Sequence, residues 1–505
     1  MRMKKIFLVI CIFSLWTYNA YSQKALKSFP FDIDGTLKED YEEYKAGTPV
    51  KLCSFLKFAK GDQAEDFSIG LVINNFQIAV PFSKLRAVNL EPTNNDSFWE
   101  YKALQNDLYT NLIYKGYQYD LRQELKEESA NYIGKLSKER LFYEDPYIED
   151  YVNSIFTSVI YQKFNDKRSE TLKVYILKSP NPDSYMQPDG SLIVTTGLLS
   201  VLDSEEELTA IIASEVAHHV LDHGINNVNK QISREKAAAF WGPIAAGVLQ
   251  AGEEYLMDKS QYYVPGTATV AVSLVSAAIV DKMGQRMGMT YSRSQEKIAD
   301  RCAMEFLSMK KIDPSALPSA LNKIRNYFLE HKDYYTLSKY GTYAEFDKRI
   351  NKLGNFNEFS SHAYQKVISG VNTFNAIIQI DGKHYAEAAA LVQKNVDQKV
   401  ATDGDLVILA KANMGMYNTD EKNQESLSLI QQAKSISGVP NLNTDKQEIL
   451  ALLRLKKQAK AASALQEYID HLTSFQDQTR NTDDATWASS EITWAKELLQ
   501  RVNIM

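Results

Sequence analysis

Ala213-Ser214-Glu215-Val216-Ala217-His218-His219-Val220-Leu221-Asp222-His223-Gly224 decides how this chain is read. Asp203-Ser204-Glu205-Glu206, just upstream, is a good helix start: a capping side chain followed by acids in the first turn. In that helix residues 214 and 218 are four apart and stack on one face, with Glu215 beside them. Histidine at both positions would make the H-E-x-x-H arrangement, in which two imidazoles hold a zinc ion and the glutamate activates water. Here Ser214 takes the first position. His219 and His223 are also four apart, but they lie about 100° round the helix and further on, so they cannot take the place of residue 214.

Working outward, Leu172 to Leu177 and Ser191 to Thr196 read as two strands, the second following the turn residues Pro188-Asp189-Gly190. Ala237 to Ala251 and Val264 to Val280 are apolar and read as buried or interfacial helices. Beyond them comes Tyr291-Ser292-Arg293-Ser294-Gln295-Glu296-Lys297-Ile298-Ala299-Asp300-Arg301.

With these three segments in order, the chain resembles the gluzincin metallopeptidases that include the HtpX heat-shock protease and the CAAX prenyl endopeptidase. That family carries a S-R-x-x-E-x-x-A-D motif, matched here by Ser292, Arg293, Glu296, Ala299 and Asp300. The strand from Asp189 to Leu199 resembles the family's edge strand, and Glu207-Leu208 with His218 to Gly224 match its helix. The likeness covers roughly residues 125–355. It implies zinc as cofactor, His218 and Glu296 as zinc ligands, Glu215 as general base, and Asp300 as a group that orients a ligand from behind. Two positions depart from the pattern. Ser214 replaces the first ligand. Ser338-Lys339-Tyr340-Gly341 stands where the family shows S-x-H-P, so Tyr340 replaces a histidine of the catalytic site.

The fold class expected is mainly α with small β elements: a zincin-like helical metallopeptidase core, a small β-rich N-terminal domain and C-terminal tetratricopeptide-like helical repeats. Residues 1–22 read as a signal peptide, with Arg2, Lys4 and Lys5 before the apolar Ile6 to Trp16 and Ala20-Tyr21-Ser22 as the cleavage signal. Residues 23–115 form the β-rich part with a linker, 116–360 the core and 361–505 the repeats. In the β-rich part Ile69 to Val80 alternates as strands do, with Asn74-Asn75 as a turn. Ala388, Leu427 and Ala462 recur at close to the ~34-residue tetratricopeptide period.

Cleavage after Ser22 takes the formal charge from -6 to -9. An acidic chain without a basic block argues against nucleic acid as a partner. Cys53 and Cys302 are too few and too far apart for a disulfide framework and read as buried thiols. Phe31-Asp32-Ile33-Asp34-Gly35-Thr36-Leu37 matches the D-x-D-G-T motif of haloacid dehalogenase-like phosphatases. The residues before it give no buried strand, however, and Pro30 blocks ladder pairing, so the match is set aside. Two functions stand against each other: zinc-dependent endopeptidase of exported or misfolded proteins, and non-catalytic scaffold that holds peptides or envelope partners in the cleft and repeats. Either belongs in the periplasm or cell envelope. Membrane association is compatible with both and required by neither.

Overall fold

The computed structural model describes residues 27–57, 67–109, 117–162, 170–234, 291–330, 343–437 and 440–504. The signal-peptide segment, the apolar stretches within 237–280 and Tyr340 lie outside them. No helix among the described residues is long and apolar enough to cross a membrane.

Strands β1 (Lys27–Leu37), β2 (Pro49–Lys57), β3 (Phe67–Ile73), β4 (Phe76–Pro81) and β5 (Val88–Leu90) make an antiparallel sheet in the order β4-β3-β2-β1-β5. Asn74 and Asn75, both at positive φ, close the β3–β4 hairpin, a two-residue turn of the kind that matches strand twist. β1 corrects the sequence reading. It runs through Pro30, because the register shifts between Pro30 and Ile33, and such an irregularity tolerates a residue without an N–H. Asp32 and Asp34 therefore sit on an antiparallel strand, with Asp32 paired to Lys51 at the surface. Gly35 has a packing reason: a Cβ there would meet the Asn89 carbonyl oxygen at 2.2 Å.

Helices α1 (Asn95–Gln105), α2 (Tyr117–Lys138) and α3 (Pro146–Val159) follow. Trp99 of α1 donates its indole N–H to the Val159 carbonyl at 2.8 Å and stacks on Phe306, centroids 5.2 Å apart. These contacts merge the sheet and the helical centre into one apolar cluster, which contains Leu52, Phe55, Trp99, Ile212 and Phe306.

A second sheet has the order β6 (Val174–Leu177), β8 (Leu192–Thr195), β7 (Ser184–Met186). The two strands expected from sequence do pair, but in parallel, and the three-residue β7 runs antiparallel along the far side of β8. Helix α4 (Thr196–Val201) leaves β8 directly, and Ser204 caps α5 (Glu205–Val220) by accepting from the Glu207 N–H at 3.2 Å. α5 is buried on almost every side, as a helix at the centre of a core must be.

Next come α6 (His223–Arg234), α7 (Arg293–Met309), α8 (Ala316–Glu330) and α9 (Tyr343–Leu353). The C-terminal part is a run of helices, each packed on the next: α10 (His362–Asp381), α11 (Tyr385–Asp397), α12 (Asp403–Met416), α13 (Asp420–Ser437), α14 (Leu442–Arg454), α15 (Gln458–Gln478) and α16 (Thr482–Ile504). α10 belongs to both parts. Its Tyr364, Ile368 and Val371 join the central cluster, while Ala376 and Ile380 join the first helix-pair cluster. Tyr364 donates to the Leu199 carbonyl at 2.8 Å, and Asn375 bonds both Thr196 and Ser200. The fold is thus mainly α with small β elements.

Candidate functional site

α5 and α7 pack at the centre of the core and bring four of the expected side chains together: Glu215 and His218 from α5, Glu296 and Asp300 from α7. Ser214 lies one turn before His218 on α5. His218 Nε2 lies 3.4 Å from Glu296 Oε2. That is long for a hydrogen bond, and close to the separation of two donors each ~2.0–2.2 Å from one tetrahedral ion. The Tyr291 ring lies over the imidazole, centroids 3.6 Å apart and planes 27° from parallel.

The helix does not carry on through residue 224. It ends at Val220, and Asp222 takes a left-handed conformation (φ 53°) that starts α6 at His223. Arg122 of α2 grips this turn in a buried bidentate pair with Asp222, at 2.9 and 2.7 Å. His223 is thereby swung back onto His218, Nδ1 to Nδ1 at 3.1 Å. The continuous-helix reading had sent His223 elsewhere. Burial and the neighbouring His218 hold the His223 pKa down at about 3, against weaker opposition from Glu296 and Asp222, so this ring is neutral. His219 points away from the site altogether. It meets Glu170 at 3.0 Å, and Tyr161 donates its hydroxyl to the other oxygen of Glu170.

Arg349 of α9 completes the constellation. Nε and Nη2 hold the two oxygens of Asp300 at 2.8 and 2.7 Å, and Nη1 lies 3.0 Å from Glu296 Oε2. Burial pushes the Glu296 carboxyl up, but Arg349, His218 and His223 together hold it at about 2. Glu215 goes the other way. Burial, then Glu296 and Asp183, push its carboxyl well above the usual range, against the pull of Arg349 and the Met186 N–H. Its Oε2 is sealed and has no hydrogen-bond partner among the described residues. Glu215 thus lies buried beneath β7, close to Glu296 and to the Met186 N–H.

Zinc is the ion this arrangement implies, and the donors can be tested against it. Two corners of a tetrahedron are present, His218 Nε2 and Glu296 Oε2. One turn before His218 stands Ser214, buried on α5, whose hydroxyl is a neutral and poor zinc donor, whereas a catalytic zinc uses three protein ligands plus water. Among the described residues no three His, Cys, Asp or Glu side chains are grouped to hold a metal. The described residues therefore fall one donor short of a catalytic zinc site. The sequence missed Arg349 and the Arg122–Asp222 clamp. A signal for the first existed: two inward carboxylates one turn apart demand a nearby cation.

Residues 146–365 match Peptidase family M48. The chain is similar to the beta-barrel assembly-enhancing protease of Escherichia coli (strain K12), 22% identical over 194 residues, 38% of this chain and 36% of that protein. It is similar to the beta-barrel assembly-enhancing protease of Yersinia pestis, 22% identical over 180 residues, 36% and 33% of the two. It is also similar to the Protease HtpX homolog of Desulforapulum autotrophicum, 28% identical over 166 residues, 31% and 48% of the two. The match spans about a third to a half of these curated relatives.

Proposed function

We propose that this chain, whose residues 146–365 match Peptidase family M48, keeps a polypeptide cleft of that family and binds protein there without hydrolysing it. The observation that carries this reading is the donor set: a serine hydroxyl one turn before His218, where a third ligand is needed. The binding surface is the outer edge of β7. Among the described residues that strand pairs only with β8, and its Met186 N–H points to Glu215. An extended segment laid along this edge would gain main-chain hydrogen bonds without demanding a sequence. The helix pairs after α10 are proposed as a second contact surface for a protein partner. Exported, the protein would hold unfolded or assembling chains in the cell envelope.

The test uses the chain without residues 1–22. Fluorescent unfolded casein should bind and remain intact over hours in micromolar zinc, and dialysed protein should contain far less than one zinc per chain by elemental analysis. Cleavage abolished by Glu215→Gln would overturn the reading. The competing function, zinc-dependent proteolysis with Glu215 as base, is favoured by one observation, the 3.4 Å spacing of His218 and Glu296, and stoichiometric zinc together with that cleavage would establish it.

A further inference from the structure

Glu296 and Asp300 stand one turn apart on the inward face of α7. Asp300 is almost fully buried, with 2% of its side chain exposed, and Glu296 has 20%. Carboxylates this close and this dry repel each other and lose their hydration, so the centre is stable only with a positive charge among them. In a three-donor site a bound metal would contribute that charge. Among the described residues the donors stop at two, yet the carboxylates are not left uncompensated. Arg349 reaches them both with three nitrogens, and its own side chain is only 17% exposed. The planar fork of a guanidinium suits this double grip, since it offers paired donors to one carboxylate and keeps another for its neighbour.

We propose that Arg349 is the resident cation of this centre: it takes the charge role a divalent metal would have, and holds α7 to α9 and Glu296 against His218 without one. This stands whether or not the cleft binds peptide, because it concerns what keeps the centre assembled.

Charge compensation separates this role from simple packing. Three variants of the chain lacking residues 1–22 are compared by thermal unfolding: Arg349→Met, the pair Glu296→Gln with Asp300→Asn, and all three changes together. A chelator should leave the wild-type midpoint unchanged. Arg349→Met should lower it by about 5–10 °C, because a buried carboxylate pair loses its partner. Excess zinc should raise the Arg349→Met midpoint and not the wild-type one, since the freed carboxylates can then accept a dication. The combined variant should regain at least half of the loss, as neutral amides need no cation. Losses that simply add would overturn the proposal, as would a wild-type midpoint that falls with chelator or an Arg349→Met protein indifferent to zinc. If Arg349→Met does not fold, the combined variant decides alone: folded supports the proposal, unfolded refutes it.

Discussion

His218 and His219 are neighbours in sequence, yet they build opposite environments on the two sides of one helix. Each meets one glutamate. On the His219 side Glu170 lies 3.0 Å away, and its second oxygen is taken by Tyr161. That cluster is buried and joins the residues just after α3, the segment before β6 and α5. On the His218 side the glutamate is 3.4 Å away and partly exposed, and its other partner is the charged Arg349. The two histidines have the same chemistry. What differs among the described residues is the third member, a phenol on one side and a cation on the other.

Stability should separate the two sides most widely. Glu170→Ala takes a buried acceptor from both the imidazole and the phenol, and the loss is expected at about 2–5 kcal/mol, since each buried hydrogen-bond partner removed costs about 1–3 kcal/mol. Glu296→Ala should cost less, because Asp300 still holds Arg349. Equal losses in urea denaturation would erase the distinction drawn here.

Metal affinity should move on one side only. Ser214→His places an imidazole one turn before His218 and opposite Glu296. Zinc affinity should rise at least the ~10–100-fold typical of changes in groups that merely support a ligand. His219→Asn should leave it unchanged. Competition against a chromophoric chelator measures both, and a zinc response to the second variant would mean that the sides are not independent.

The smallest effect concerns the lid over His218. Tyr291→Leu removes a stacked ring pair and should cost only about 0.5–1.5 kcal/mol, with no change in the His219 cluster. Chemical-shift changes confined to the His218 and His223 ring protons would sharpen the comparison. Shifts at His219 would break it.

How much of this was legible in the sequence depends on the range of the physics involved. Ser214, Glu215 and His218 could be placed on one helix face because a four-residue spacing is local. Glu296 and Asp300 came from an ordered motif, and the structure sets Glu296 against His218. β1 was missed because Pro30 argues against a strand, and only the tertiary register shift accommodates it. β7 has three residues, too few to show any period. His223 was misdirected by assuming an unbroken helix, when Asp222, held by Arg122 from a helix 100 residues earlier, ends it. Arg349 stood in plain sight, but its partners are decided by how α9 lies against α7. Cys53 and Cys302 are free thiols, but only Cys302 is buried as expected, while Cys53 is partly exposed.

α10 gives the molecule a mechanical character. The helix is at once the last beam of the central frame and the first of the C-terminal stack, riveted by Tyr364 to Leu199 and by Asn375 to Thr196 and Ser200. Lys394 of α11 adds a tie to Asp203, the residue before the Ser204 cap of α5. A tug on the stack by whatever it grips would therefore be borne at the foot of the helix that carries Ser214, Glu215 and His218, with no slack linker to absorb it. Cutting at residue 360 would tear Tyr364, Ile368 and Val371 out of the frame, whereas a cut after Asp381 leaves the beam in place.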